Sequence, residues 1–245
     1  MSDEPKVLCL LDVLGFESLF TSVGLKQIEE RYDRLIEYVR EQTGGVDVAP
    51  TPDGHVAVGW LVLGNTYFSD AILFWTNYSK MSLPSFTHLI SETICYGIEH
   101  KLPLRGTISV GDAILDKDSG KYLGEPIIEA ARTERLQKWI GVSFGSSFTK
   151  SGFNEGFHLN TVLPYKSHYK QEAQEDEDKK KYCTGMAVDW PRRWRESRTA
   201  NIQSLVSALD TDPDFSDYYE QTLRFIKFSE ENHDWFTKGE HLSYG

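Results

Sequence analysis

Apolar positions in this chain recur at two different spacings, and the alternation between them lays out its elements. Residues 7–12 form an apolar run of strand length that ends on Asp12. Leu25, Ile28, Tyr32, Leu35, Ile36 and Val39 then fall on one helical stripe with charged residues opposite, which predicts an amphipathic helix. "TGGVDVAPTPDG" reads as a loop rich in Gly and Pro. Two strand-like runs follow, "HVAVGWLVL" and "NTYFSDAILFW", the second interrupted at Ser69-Asp70 as a hairpin is. Phe86, Leu89, Ile90, Ile94 and Ile98 predict a second helix, and "LRGTISVGDAIL" a strand by its β-branched content. "DKDSGKYLG" reads as a turn, and "EPIIEAARTERLQKWI" as a third helix with Glu125 and Pro126 in its first turn.

The order strand, helix, two strands, helix, strand, helix predicts an α+β fold, a mostly antiparallel sheet with helices packed on one face. "GVSFGSSF" and "TGMAVDWP" are further strand candidates, and "KQEAQEDEDKKK" reads as a solvated charge run. Residues 197–231 read as a C-terminal helical extension broken near "DTDPDF". The expected organisation is a main domain over 5–163, a charged loop over 164–184, and a C-terminal strand and helical extension over 185–245 packed on the same domain.

Composition narrows the class. The 245 residues are 40% hydrophobic and 13% aromatic, enough for a substantial core. No apolar run reaches membrane-spanning length and the first residues lack a basic, cleavable leader, so a soluble cytoplasmic protein with no membrane partner is expected. Cys9, Cys95 and Cys183 are far apart and form no CxxC pair, which argues for free thiols. The formal net charge of -11 opposes binding to long nucleic acid. It does not oppose a nucleotide, because a cation and a few local Lys or Arg offset phosphate charge.

The candidate chemistry starts at "LLDVLGFESL", where an apolar strand ends on Asp12 and turns at once through Gly15. Asp12 alone is equally a capping residue, and Asp70, in the hairpin "TYFSDAIL", is by itself ordinary turn chemistry. If strand and hairpin are sheet neighbours, the two carboxylates face one point. That pair suits Mg²⁺ or Mn²⁺, with water and phosphate oxygens completing the shell. Gly15 would let backbone N–H groups approach the phosphates.

At these residues the chain resembles class III nucleotidyl cyclases. "LLDVLGFESL" looks like their opening metal motif and "TYFSDAIL" like their second. "LPLRGTISVGDAI" is similar to the strand after their second helix, and "LGEPIIEAARTERL" to their late helix. The motifs occur in the family's order and span residues 7 to about 142. "LLDVLGF", "YFSDAI", "RGTISVGDAI" and "RLQKWIGV" resemble most the bacterial pyrimidine cyclases of Pycsar anti-phage defence, which convert UTP or CTP to 3′,5′-cyclic monophosphates.

The resemblance implies a homodimer with sites at the interface and a product read by a separate effector. It also implies two divalent ions, Mn²⁺ or Mg²⁺, held by Asp12, Asp70 and the Val13 carbonyl. Arg132 matches the family's transition-state arginine, although Arg on a helix is ordinarily solvated, and Ile128 stands where the family has Asn. Arg135 and Lys138, on nearby turns, are candidate substitutes. Ser69 stands where the family's hairpin has Gly. The positions of the purine-reading Lys–Asp pair are Thr66 and Lys121, and a lysine there suits a uracil carbonyl. Lys121 is therefore a candidate base reader, against the ordinary solvated loop lysine. Tyr67 is a candidate to stack on the base or to pack on the sheet, and Arg105 to reach base or phosphate or to be a strand-end charge. Phe16 is expected to pack near the nucleotide. His55 and His88 lie outside the motifs, which leaves deprotonation to metal and water. The implied reaction is UTP to cyclic UMP and pyrophosphate, with CTP as the alternative substrate. A diguanylate cyclase is disfavoured because its Gly-Gly-Asp-Glu-Phe hairpin is absent. A nucleotide-binding module without catalysis remains the other class of function, and Ile128 is its best support.

Overall fold

β1 (Lys6–Val13) occupies an interior position of a seven-stranded sheet, because "KVLCLLDV" is apolar on both faces. Around it the computed structural model describes residues 4–43, 47–50, 56–59, 63–79, 82–150, 161–209 and 212–234. After β1 come α1 (Phe16–Val23), α2 (Leu25–Thr43), the paired β2 (Asp47–Pro50) and β3 (Val56–Gly59), then β4 (Gly64–Phe68) and β5 (Ala71–Asn77). α3 (Ser82–Glu99), β6 (Leu104–Gly111), the hairpin of β7 (Ala113–Asp116) and β8 (Lys121–Gly124), α4 (Glu125–Arg135), β9 (Gly141–Phe144) and α5 (Ser147–Lys150) follow. The chain continues through β10 (Val162–Pro164), α6 (Gln171–Glu175), α7 (Glu177–Lys180), β11 (Met186–Val188), α8 (Trp190–Ser197) and α9 (Ile202–Leu209). It ends in a 3-10 turn (Pro213–Phe215) leading into α10 (Ser216–Glu231).

The strand order is β10-β11-β9-β6-β1-β5-β4, antiparallel at every junction except the parallel pair β6–β9. This is the expected α+β architecture. Successive residues of β1 serve opposite faces. Val7, Cys9 and Leu11 join the main core with the buried stripes of α2 and α3, and with Trp190, Trp194 and Phe225 of α8 and α10. Leu8 and Leu10 pack with Leu73 and with Ala130 of α4. Most helices therefore lie on one face, as expected, while α4 lies on the other. Asp12, two residues after Leu10, shares the α4 face.

Several details differ from the sequence reading. Leu25, placed on the apolar stripe of α2, is 66% exposed. Part of the expected Gly/Pro loop is strand β2, paired with β3. "LRGTISVGDAIL" is two strands, because the chain leaves the main sheet after Gly111 and pairs locally as β7–β8. The late helix stops at Arg135, and the chain is then bound to the sheet: the Gln137 side-chain amide donates to the Gly106 carbonyl at 2.9 Å and to Thr107 at 2.8 Å. That turn delivers Trp139 and Ile140, both buried, to the core. The stretch read as a charged loop holds α6 and α7. Asp176 caps α7, and Lys179, Lys180 and Lys181 pair with acids three residues earlier.

Candidate active site

Pairing across β1 brings the candidate carboxylates together. Asp12 lies opposite Ala71 of β5, so Asp70, one residue earlier, emerges at the same end of the sheet. The Val13 N–H donates to the Asp70 carbonyl at 3.0 Å and fixes that juxtaposition in the backbone. The turn carrying Asp70 places Ser69 at φ 56, the left-handed conformation that Gly adopts without steric cost and Ser does not. Gly15 is left-handed too, at φ 68, and forms the N-cap of α1. Leu14 N–H donates to the Pro103 carbonyl at 2.8 Å, anchoring the turn between β1 and α1.

Asp12, Val13, Phe16 and Asp70 line one cavity of 690 Å³. Asp12 faces Arg105 across the β1–β6 pairing. The guanidinium is 3.1 Å from the Asp12 carboxylate, pairs with Glu134 of α4, and donates to the Gln137 carbonyl at 3.1 Å. Its carbon lies 5.6 Å from the ring centroid of Tyr218, on α10. One base thus serves two acids, Asp12 half-buried and Glu134 buried. The Asp12 carboxyl is pushed up to about 7, first by burial, then by the Glu134 charge, against the opposing pull of Arg105 and with a further push from Asp70. Burial also raises Glu134, countered mainly by Arg105.

This donor set fits a divalent cation. Two carboxylates on adjoining backbone segments are hard oxygen ligands, and acidic residues outnumber basic ones in the cavity lining. Among the described residues no group of three or more His, Cys, Asp or Glu gathers as a metal site, so water and substrate oxygens would fill the other positions.

The remaining candidates divide in two. Phe16, at the start of α1, lines the cavity, and its ring is 6.5 Å from that of Tyr32. Tyr67 stands beside this group, 5.7 Å from Tyr32, with 48% of its surface exposed on the outermost strand β4. Burial raises the Tyr32 hydroxyl pKa, as do the charges of Asp70 and Asp12. Lys121 and Arg132 do not line the Asp12 cavity of their own chain. Lys121 is exposed on β8. Arg132 is exposed on α4, where it donates to the Tyr182 hydroxyl at 3.0 Å and borders a separate 510 Å³ cavity beside Ile128 and Glu129. Arg105 is buried rather than a strand-end surface charge, and it lines the cavity with its guanidinium engaged by Asp12, Glu134 and the Gln137 carbonyl. Of the two histidines set aside, His55 lies outside the described residues and His88 is exposed on α3.

Glu134, Gln137 and Tyr218 were not read from the sequence. A signal existed for the first two. Glu129, Ala130, Thr133, Glu134 and Gln137 share one side of the α4 stretch, so polar groups sit on the stripe that buries Ala130. For Tyr218 no local signal exists, because its partner is 113 positions away in the chain.

No protein-family model matches the chain, and no curated protein matches it. Solved structures with similar chain traces are nucleotide cyclase domains or related to them. The guanylate cyclase domain of RhGC from Catenaria anguillulae, in complex with GTP, aligns at 14% identity and a TM-score of 0.46, covering 66% of this chain and 86% of that one. A bacterial light-regulated adenylyl cyclase aligns at 14% and 0.40, covering 70% and 94%. A class III adenylyl cyclase-like ATP-binding protein from Pseudomonas aeruginosa aligns at 13% and 0.39, covering 98% of this chain and 45% of that one. With each of these TM-scores below 0.5, the functional reading rests on the residues of this chain.

Proposed function

We propose that this chain is a metal-dependent pyrimidine nucleotide cyclase that converts UTP to 3′,5′-cyclic UMP and pyrophosphate. The observation that carries the reading is the convergence of Asp12 and Asp70 beside the Gly15 turn, in a cavity with room for a nucleotide's phosphates. Asp12, Asp70 and the Val13 carbonyl would hold two divalent ions, which supply a lowered pKa at the ribose 3′-hydroxyl and charge neutralisation at the leaving group. In the reaction the 3′-oxygen bonds to the α-phosphorus, the bond to the bridging oxygen of the β-phosphate breaks, pyrophosphate departs and the hydroxyl proton passes to water.

The chain's own groups have assigned parts. Half-burial of Asp12 and Asp70 limits their screening by water, and Arg105 holds the Asp12 side chain in place. Phe16 packs near the nucleotide from α1, and Tyr67 offers an aromatic face to the base. Lys121 and Arg132 are assigned across a homodimer interface, as base reader and transition-state cation. That assembly is supported by apolar side chains left uncovered: Tyr67 and Phe68 on β4, Ile114 and Leu123 on the β7–β8 hairpin, and Ile128 on α4 are each at least 43% exposed. Uracil is favoured over cytosine because a lysine donates to a carbonyl and not to an amino group. Among the described residues no helix is long and apolar enough to cross a membrane. The reading places the enzyme in the bacterial cytoplasm, with cyclic UMP passed to a separate effector in anti-phage defence.

Incubating the protein with ATP, GTP, CTP and UTP separately in Mn²⁺, then resolving products by chromatography and mass spectrometry, tests the proposal. Cyclic UMP from UTP is expected. Cyclic CMP would retain the cyclase and discard the role of Lys121, whereas nucleotide binding with no product would favour a module that has lost catalysis.

A further inference from the structure

Arg132 shares its cavity with three acids, Asp112, Glu125 and Glu129, yet forms a salt bridge with none of them. Glu129 is occupied elsewhere: its carboxylate accepts from the Ser146 hydroxyl at 2.5 Å and from the Ser147 N–H at 2.9 Å. The Arg132 guanidinium donates instead to a neutral group, the Tyr182 hydroxyl, at 3.0 Å. Its neighbours on nearby turns are placed differently, since Arg135 lines the Asp12 cavity and Lys138 pairs with Asp217.

Tyr182 is itself held. It follows α7, half-buried, and its N–H donates to the Lys179 carbonyl at 2.9 Å. The Lys181 ammonium lies 5.4 Å from the centroid of its ring. Two residues on, the Thr184 hydroxyl donates to the Phe144 carbonyl of β9 at 2.7 Å, which ties the segment to the sheet. The ring therefore reaches α4 from an anchored position 50 residues away in the chain.

An arginine on a helix surface samples many rotamers, and a fixed acceptor removes most of that freedom. The nature of this acceptor matters. A carboxylate would orient the guanidinium and also neutralise it, whereas a phenol oxygen orients it and leaves its charge for an anionic ligand. Ile128, one turn before Arg132, has no polar atom with which to do this.

We infer that Tyr182 is a positioning residue, whose hydroxyl holds the Arg132 guanidinium in its working orientation and so couples the α6–α7 segment to turnover. The consequence for turnover rests on the part given to Arg132 in the cyclase reading; the positioning itself rests on the hydrogen bond, the anchored ring and the lack of an acid partner.

Tyr182→Phe removes the hydroxyl and keeps the ring, and two measurements on the full-length chain test it. Side-chain ¹⁵N relaxation reads the order of the Arg132 Nε group, with Arg132→Ala to assign its signal. Steady-state kinetics with UTP and Mn²⁺, or with whichever nucleoside triphosphate wild type cyclises, read kcat and KM. Arg132 should be ordered in wild type and mobile in Tyr182→Phe. The variant should lose about tenfold in kcat with KM within about twofold of wild type and its thermal midpoint unchanged. Lys180→Gln, on the same segment, should match wild type in every readout.

Equal order of Arg132 in wild type and Tyr182→Phe would overturn the inference, as would wild-type kcat in Tyr182→Phe. A change in KM alone would put Tyr182 on the substrate, and a lowered midpoint would put it in the fold; either result also overturns it. Wild-type turnover by Arg132→Ala would remove Arg132 from the reaction, and the inference with it, while leaving the cyclase. Order of Arg132 that depends on Tyr182, with no cyclic product from any nucleotide, supports the positioning contact and removes the cyclase.

Discussion

The Arg105 guanidinium stands 3.1 Å from the half-buried Asp12 and also pairs with the buried Glu134, so one cation is divided between two carboxylates. Charge balance at the candidate site is incomplete, and a divalent cation would complete it. Asp12→Asn keeps an oxygen for Arg105 and removes the excess charge. This variant should lose turnover while gaining roughly 1–3 kcal/mol of stability at pH 8 in chelator. Urea denaturation and product assays on one preparation give both readouts. A variant that is inactive and destabilised would mean that Asp12 serves only the fold.

The same imbalance gives a pH dependence whose sign is fixed. Folding raises the Asp12 carboxyl from 3.8 to about 7. Its contribution to stability is therefore fully present below about pH 4 and is lost as pH climbs through 7. In chelator, the midpoint for wild type should fall across that window relative to Asp12→Asn. Added Mg²⁺ or Mn²⁺ should restore it for wild type alone, since only a folded state with both carboxylates binds the ion. Thermal melts from pH 4 to 8, with and without cation, would show the two curves converge when the ion is present.

What the sequence made legible follows from the range of each interaction. Asp12 and Asp70 could be paired because each sits at an abrupt end of an apolar run, and strand pairing then carries them to one edge. Ser69 could be flagged because a hairpin of that kind needs a left-handed residue, and it is found at φ 56. Arg105 could be placed at a strand start, but its partners could not, since Glu134 arrives through α4, beyond the β7–β8 hairpin, and Tyr218 through a helix more than a hundred residues later. The end of α4 is hidden from the sequence for a similar reason. Apolar periodicity continues through Trp139 and Ile140, but those residues are buried by a turn held to β6 through Gln137, which no local pattern reveals.

Glu92 clamps the C-terminal helices to the sheet domain. Its carboxylate, 3% exposed on α3, accepts from Arg198 at 2.9 Å and Tyr38 at 2.9 Å, and pairs with Arg193. Burial alone would raise its pKa, but Arg198 and these donors hold it below 4.5. Its contribution is therefore intact above about pH 4.5 and lost as pH falls below that. Glu92→Gln leaves two guanidinium groups without their acid and should cost about 3–5 kcal/mol at pH 7. The deficit against wild type should shrink toward pH 3. A constant difference across denaturation curves at pH 3, 5 and 7 would show that the carboxylate charge is not what holds α8.

Gly15 should tolerate no side chain without loss of function. At φ 68 an added Cβ is strained, and it would stand 3.5 Å from the Phe215 ring that borders the cavity. Gly15→Ala should cost on the order of 1–2 kcal/mol in stability and lower nucleotide affinity more than Gly24→Ala, where φ is 79 and nothing lies within 4 Å. Equal effects at the two positions would mean that the Gly15 turn is only a turn.

Arg132 and Lys121 provide the sharpest test of assembly, because neither lines the Asp12 cavity of its own chain. If active sites are shared, Asp70→Asn and Arg132→Ala homodimers are each inactive by losing opposite halves of every site. Mixing them with subunit exchange creates heterodimers in which one of the two sites is intact. Random pairing makes half of the dimers mixed, so activity should recover to about a quarter of wild type. A cis site predicts no recovery at any ratio. The same experiment with Phe68→Lys in both chains should fail, and sedimentation should then show monomers, because this change places a charge on the outer face of β4 where Phe68 is 54% exposed. Recovery that survives Phe68→Lys would move the interface from β4 toward the exposed Ile114, Leu123 and Ile128.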